Sequence, residues 1–400
     1  MRPLLIKNVR LEKKHHYNEE GHVIFTETEQ VDLVIEHGII VQIGSNIMRA
    51  LPILDVKGAL ALPAFREMHI HLDKTYFSGP WKAVRPATNG LATRIEEEQV
   101  ILLEQLPVAK QRAHALVQHL MHNGHRHIRT HVNVDRVIGT QHIELMQEVL
   151  ADYPHITSEI VAFPQHGLLQ NDVVDLMKEA LEMGADLVGG IDPATMERDI
   201  NGAIDTMVEL AVQYGKGIDM HLHDGGSLGA YEMEIFAEKV MAANLYGQAT
   251  ISHAFALADV SGATFNRTVE KVAEAQIDVT TSVPISRAFL PVAELYNRGV
   301  DVSTGHDSLT DHWSPFGTGD TIQKLSRLAE RVHAVDELSL SRALRYATGG
   351  VTPLDDYGAR AWPSIGDQAS FIFVDASCSA ETIARRSAIR HVVLNGQQIK

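Results

Sequence analysis

Residues 60–74 read LALPAFREMHIHLDK. The stretch starts as an apolar run and carries two histidines near its end, His69 and His71, which one isoleucine separates. In a β-strand, residues i and i+2 point to the same face. We therefore expect both imidazoles on one face at the end of a buried strand, where together they can bind one metal ion.

Seven further runs of buried-strand type follow along the chain, and helical stretches separate them. They are residues 127–135, 158–167, 186–192, 217–224, 248–254, 277–283 and 300–307. Eight alternating strand and helix units favour a parallel sheet that closes into a (β/α)8 TIM barrel. An open, doubly wound sheet is the structural alternative, but no GxGxxG turn follows an early strand.

The two ends of the chain have a different pattern. Residues 1–60 and 366–400 contain short apolar runs that alternate with polar residues between glycine breaks, as in antiparallel strands. The predicted fold class is therefore α/β. A TIM barrel over residues 61–351 is joined to a small β-sandwich domain that both chain termini form, from residues 1–60 and 352–400.

Charge and composition exclude several kinds of partner. The chain carries 35 basic and 51 acidic residues, for a net charge of −16. Nucleic acids and anionic membranes would repel this charge, so a small-molecule substrate is expected instead. No stretch approaches the 18 apolar residues of a membrane span. The single cysteine and the lack of a signal-like leader favour a cytoplasmic location.

Histidine or aspartate stands at the ends of the first, fifth, sixth and eighth predicted barrel strands. The residues are His69, His71, His221, His223, His253 and Asp307. TIM-barrel active sites lie at the carboxyl ends of the strands. One His-x-His pair alone is weak evidence, but the four strand ends together predict a metal centre. Neutral imidazoles with a carboxylate suit Zn²⁺, and imidazole also suits iron.

These motifs resemble the cytosine deaminase-like branch of the amidohydrolase superfamily over nearly the whole chain. The similarity is carried by residues 63–81, 124–135, 160–168, 219–224, 252–258 and 305–320. The resemblance implies one divalent metal ion, with zinc first and iron or manganese as alternatives. It implies the ligands His69, His71, His221 and Asp307. It also places His253 beside the metal-bound water, and Gln165 and Lys74 against the substrate ring.

Four positions refine the resemblance. Cytosine deaminases have a glutamate three residues after the histidine of the fifth strand, but this chain has Asp224 there, preceded by His223. That local sequence and Lys74 are more similar to the N-isopropylammelide isopropylaminohydrolases, which remove an alkylamine from a triazine ring. The fourth strand ends in Asp192 and lacks the carboxylated lysine of dinuclear relatives, which favours one metal ion.

The predicted function is removal of an amino or alkylamino group from a nitrogen heterocycle, a cytosine-like pyrimidine or a triazine, by a metal-bound hydroxide. In this hypothesis Asp307 accepts the proton of the water and His253 stabilises the oxyanion. His223, Lys74 or Asp224 protonates the ring, with His223 preferred. The pocket wall is predicted to include Asp192 and Trp313.

Two other functions remain open at this point. One is ring-opening hydrolysis of a cyclic amide, as in dihydroorotases and hydantoinases, and the other is an inactive metal-binding scaffold. A homo-oligomer is expected from the family alone.

Overall fold

The computed structural model of the chain describes residues 2–400, and for Leu91 the backbone alone. Its strands are β1 (Leu4–Tyr17), β2 (Val23–Glu36), β3 (Ile39–Gly44), β4 (Ile53–Asp55), β5 (Leu60–Pro63), β6 (Phe65–Ile70), β7 (His125–Asn133), β8 (Thr157–Phe163), β9 (Leu187–Ile191), β10 (Gly217–His221), β11 (Ala249–Ser252), β12 (Asp278–Thr281), β13 (Val302–Thr304), β14 (Phe371–Val374), β15 (Ile389–Leu394) and β16 (Gln397–Gln398).

Helices separate the strands of the central part of the chain. They are α1 (Gly90–His122), α2 (Gln141–Ala151), α3 (Val174–Glu182), α4 (Ile200–Tyr214), α5 (Gly226–Ala242), α6 (Ala256–Asp259), α7 (Gly262–Glu274), α8 (Val292–Asn297), α9 (Thr321–Arg331), α10 (Glu337–Arg342), α11 (Arg345–Thr348) and α12 (Ser379–Arg385). Helix α4 shows how its ends are specified. The Asp199 side chain accepts from the N–H of Gly202, and Gly215 ends the helix in a left-handed conformation.

Strands β6 to β13 form one parallel sheet in chain order. Its two edges meet at β6 and β13. Ile70 at the end of β6 pairs with Asp307, which lies just beyond the end of β13, and the Asp307 N–H donates to the His69 carbonyl over 2.7 Å. The expected (β/α)8 barrel is confirmed. The strand ends predicted from the sequence therefore converge on one mouth.

Gly305 allows this closure. A Cβ at residue 305 would lie 2.5 Å from the Cβ of His69 and 2.7 Å from its backbone nitrogen. The first and last strands can approach this closely only because residue 305 has no side chain.

The remaining eight strands form a second, curled sheet from both chain ends, in the order β16-β15-β14-β5-β1-β2-β3, with β4 paired to β1. The prediction that the two termini build one small β domain is confirmed. The apolar run from residue 60 is broken, however, at Ala64. Strand β5 pairs with β14 of the terminal sheet, and β6 alone enters the barrel. The terminal sheet thus reaches a few residues past position 60.

The long helix α1 follows an irregular segment, residues 71–89, at the barrel mouth. Its first turns bring Arg94 and Glu98 over the cavity, and both side chains are buried. Within residues 2–400, no helix combines the length and apolar character needed to cross a membrane.

Candidate active site

His69 is held by a chain of hydrogen bonds from below the cavity. Its Nδ1 lies 2.8 Å from the Ser252 hydroxyl, which donates to Asp219 over 2.7 Å. Because the hydroxyl proton goes to Asp219, the Ser252 oxygen accepts from His69 Nδ1–H. This arrangement leaves the lone pair of Nε2 free to bind a metal, as in many metal sites where a second partner fixes the histidine tautomer.

A set of imidazole nitrogens at the bottom of the cavity is buried without a hydrogen-bond partner among the described residues. They are His69 Nε2, His71 Nδ1, both nitrogens of His131, both of His221, and His253 Nε2. A buried nitrogen without a partner costs free energy, so such a set calls for a ligand. Three of these histidines each place one ring nitrogen within 4.8 Å of the others: His69, His71 and His221. The residues therefore fit a bound metal ion.

The protonation of these histidines favours metal binding. Burial lowers the pKa of His71, and it holds the pKa values of His131, His221 and His253 well below the usual range. Neutral imidazoles keep a lone pair available, whereas protonated ones would repel a cation.

Asp307 faces this group of rings. Its Oδ1 lies 3.6 Å from His69 Nε2 and 3.4 Å from His71 Nε2. Burial alone would raise the pKa of Asp307, but the neighbouring histidines, His69 and His71 first, hold it well below the usual range. The carboxylate is therefore ionised and completes a set with the donor types that Zn²⁺ accepts.

Three cavity residues have a left-handed backbone that residues other than glycine rarely adopt: Asp192 (φ 34°), His253 (φ 75°) and Asp307 (φ 61°). Each follows a barrel strand, and each backbone N–H donates to a carbonyl of the neighbouring strand. These hydrogen bonds hold the unfavourable conformation in place. Strained residues of this kind concentrate at functional sites.

His223 lies beside His253 with stacked rings, whose centroids are 4.4 Å apart. Its Nδ1 is 2.9 Å from Asp192 Oδ2. Burial lowers the pKa of His223, but the charge of Asp192 and this hydrogen bond outweigh it, and the pKa is raised. Asp224, the other predicted proton donor here, accepts from the Thr195 hydroxyl over 2.6 Å and also lines the cavity.

Lys74 is fully buried, and its ammonium group has three protein acceptors. They are Glu98 Oε1 at 2.9 Å, Asn133 Oδ1 at 3.2 Å and the side-chain oxygen of Gln165. An ammonium has three donor hydrogens. Since all three have acceptors, Lys74 orients the Gln165 amide so that its NH₂ group, rather than its oxygen, is left for the cavity.

Glu98 is one of the residues that reasoning from the sequence missed. It accepts from Trp313 Nε1 over 2.8 Å, and it lies 2.8 Å from His166 Nε2 and 3.0 Å from His312 Nε2. Its charge is shielded from water, and the Lys74 charge holds its pKa well below the usual range although burial alone would raise it. No motif marks Glu98, because it stands in an ordinary amphipathic stretch of α1.

A cavity of about 620 Å³ opens above the imidazoles. Every residue predicted for the site lines it except His69, which lies beneath. Further lining residues that the sequence did not suggest are Phe163, Thr195, Arg94 and Arg287. Phe163 stacks on His221 with ring centroids 4.0 Å apart and so restrains this proposed ligand.

The profile of the Amidohydrolase family matches residues 84–400. The chain belongs to the amidohydrolase family. The predicted class of enzyme, a hydrolase of C–N bonds other than peptide bonds, is confirmed by this membership.

Two individual proteins resemble the chain over most of its length. The protein YahJ of Escherichia coli K12 is 40% identical over 400 residues, covering 98% of this chain and 87% of YahJ. The crystal structure of N-isopropylammelide isopropylaminohydrolase from Burkholderia multivorans is 31% identical, with a TM-score of 0.87, over 100% of this chain and 98% of that one. The resemblance to the N-isopropylammelide isopropylaminohydrolases is thereby confirmed.

A third protein shares the fold. The 5-methylcytosine deaminase of Klebsiella pneumoniae, with bound phosphonocytosine, has a TM-score of 0.80 at 24% identity, over 100% of this chain and 98% of that one. The overall fold is thus common to this chain and the two solved structures.

Proposed function

We propose that this amidohydrolase hydrolyses the C–N bond between a nitrogen heterocycle and an exocyclic amino or alkylamino group. The observation that carries the proposal is the group of buried imidazoles without hydrogen-bond partners, which faces Asp307 at the bottom of the cavity. The Gln165 amide, held by Lys74, lines the same cavity. Relatives that act on a triazine or on a methylated cytosine support a ring of this kind as the substrate.

His69, His71, His221 and Asp307 would hold one divalent metal ion, zinc first, with iron or manganese as alternatives. When bound, the ion supplies a Lewis acid and lowers the pKa of water from 15.7 to about 7. No lysine stands beside Asp192 at the end of β9, which supports one ion rather than two.

The chain's own residues then move the protons. Asp307 is ionised and accepts a proton from the attacking water. His253, with its Nε2 directed into the buried group of rings, donates to the oxygen on which negative charge develops. Holding such donors in place before the reaction lowers the barrier, because no reorganisation is needed.

The ring is bound and protonated at the opposite wall. Gln165, oriented by Lys74, donates from its amide to an acceptor on the ring edge. His223 is close enough to His253 to reach the same substrate, and Asp192 stabilises its protonated form. His223 therefore protonates the ring nitrogen as the attacked carbon becomes tetrahedral, while Asp224 and Trp313 shape the wall.

A metal-loading experiment tests the proposal. The chelated protein is reloaded separately with Zn²⁺, Fe²⁺ and Mn²⁺, and each form is assayed with amino-pyrimidines, amino-triazines and their N-alkyl derivatives. We expect loss of activity on chelation, recovery with at least one metal, and release of ammonia or an amine with formation of the oxo ring.

The mass of the product distinguishes the proposed deamination from the two other functions. Ring opening would add one water without releasing any amine, and a scaffold would bind metal and rings without turnover. Either result across the panel, with metal content verified, would refute the proposed deamination.

A further inference from the structure

Three cationic side chains line the cavity: Lys74, Arg94 and Arg287. Two of them are neutralised within the protein. Lys74 pairs with Glu98 at 2.9 Å, and Arg94 pairs with Glu97 at 2.6 Å while its other terminal nitrogen donates to the Arg85 carbonyl.

Arg287 differs from the other two. Among residues 2–400, no carboxylate lies within ion-pair distance of its guanidinium group, and no side-chain hydrogen bond from it is formed. The loop between β12 and α8 carries it, and its backbone carbonyl is fixed by a hydrogen bond from Arg331. An unpaired guanidinium in a substrate cavity is free to bind an anion.

The guanidinium of Arg287, an exposed residue, lies against the ring of Phe255 at the cavity wall. The Arg287 Cζ lies 4.5 Å from the ring centroid of Phe255. The same ring is 5.5 Å from His253 and 5.9 Å from His223. Phe255 therefore contacts both Arg287 and the two histidines of the proposed reacting centre.

The chemistry of the group selects its ligand. A guanidinium presents parallel N–H donors that match a carboxylate, and stacking on an aromatic face leaves those edge donors free. A neutral heterocycle has no group that needs this charge. Cavities of 300–1,000 Å³ hold drug-sized ligands, so the 620 Å³ here exceeds the needs of one bare ring.

We infer that the substrate carries a carboxylate on the heterocycle, or on a short arm from it, and that Arg287 binds this carboxylate. The inference rests on the proposed function for the nature of the ring. Arg287 is thus a specificity-determining residue of the cavity, and the substrate class becomes that of acidic amino-heterocycles.

Matched substrate pairs test the inference. Cytosine is compared with its 5- and 6-carboxylates, and an amino-triazinone with its carboxymethyl derivative, by kcat/KM for ammonia release. We expect the carboxylated member of at least one pair to be favoured about tenfold or more, because charge-assisted hydrogen bonds are strong. The preference should fall as ionic strength rises. If the phosphonate of the same ring is a better substrate than the carboxylate, the inference that Arg287 selects a carboxylate would be wrong.

Variants assign the preference to one side chain. Arg287→Gln should bring the ratio of the two kcat/KM values close to one, and Arg287→Lys should give an intermediate ratio. Arg298→Gln is the matched control, since Arg298 also lies over a phenylalanine ring, Phe265 at 5.6 Å, but outside this cavity. Equal kcat/KM values in the wild type, or an unchanged ratio in Arg287→Gln, would refute the inference.

A binding measurement keeps the inference separate from the proposed function. Uracil and its 5- and 6-carboxylates are titrated into zinc-loaded protein by calorimetry. Suppose that a carboxylate binds more tightly than uracil and that Arg287→Gln abolishes this difference. That result would support the inference even if the enzyme turned over no ring. Absence of turnover would count against the proposed deamination only. Equal binding of all three, or an equal loss of all three in the variant, would overturn the inference.

Discussion

Asp307 combines two tasks in one residue. Its backbone N–H seals the barrel against His69, and its carboxylate faces the rings of His69 and His71. The backbone contact survives any change of side chain, so the chemical task can be removed alone.

The variant Asp307→Asn should lose essentially all turnover, because an amide neither accepts the water proton nor provides a negative ligand. Circular dichroism and the melting temperature should stay close to those of the wild type. Asp301→Asn, at the opposite end of the same strand region, is the matched control and should keep its rate. Turnover near the wild-type value in Asp307→Asn would contradict the assigned role.

Glu98 gives a second prediction for a single residue. Glu98→Gln removes the counter-charge of buried Lys74, and breaking a buried ion pair costs about 3–5 kcal/mol. We expect a lower free energy of unfolding in denaturant and a higher KM, because the Gln165 amide is no longer fixed. The exposed Glu96→Gln on the same helix should change neither quantity. An unchanged KM would mean that Lys74 orients Gln165 without Glu98.

The sequence revealed some site residues and concealed others, for a physical reason. His69, His71 and His221 stand at strand ends, where the alternation of strand side chains fixes the face to which they point. Glu98 and Arg287 come from a helix and a loop, and only long-range packing brings them to the cavity. No local pattern records that packing.

The junction between β13 and β6 leaves no room for a side chain at residue 305. Gly305→Ala places a methyl group 2.5 Å from the Cβ of His69, closer than atoms can approach. The two strands must separate, and the side chains of His69 and Asp307 then move apart. We expect less bound metal per chain, measured by elemental analysis, and a lower melting temperature.

Gly44→Ala is the control for this change, since the nearest atom to its added Cβ is 3.9 Å away. It should leave metal content unaltered. Full metal occupancy in Gly305→Ala would show that the strands tolerate the methyl group and that the closure is looser than the structure indicates.

The barrel strands were predictable because each is a short buried-type run that a helical stretch follows. The break at Ala64 was not, because β5 and β6 form one continuous apolar stretch. Which sheet accepts each half depends on β14, more than 300 residues later. Strand pairing between distant segments carries no signal in the local sequence.

At the scale of the whole molecule, Glu12 joins the two chain ends. It lies in β1, is 1% exposed, and accepts from the backbone N–H of Ser379 at the start of α12. Burial raises its pKa to about 7 from a usual value of 4.5. The folded protein therefore holds a proton that the unfolded chain releases at lower pH.

This raised pKa predicts a stability effect with a definite sign. The contribution of Glu12 is fully present below pH 4.5 and is lost as the pH rises to about 7, by roughly 3 kcal/mol at most. Glu12→Gln cannot titrate, so it should gain stability relative to the wild type over this range. Denaturant unfolding between pH 4.5 and 8 measures the difference, with exposed Glu19→Gln as control; parallel curves for wild type and Glu12→Gln would contradict the prediction.

The meeting of β6 and β13 also has a consequence for synthesis on the ribosome. His69 emerges early, but Asp307 follows more than 200 residues later, and at roughly 5–20 residues per second this delay is on the order of tens of seconds. Until then the His-x-His pair lies on an open sheet edge without its carboxylate. A growing chain therefore carries the two proposed metal ligands of β6 well before the barrel can close, and the proposed site stays incomplete until the last barrel strand is made.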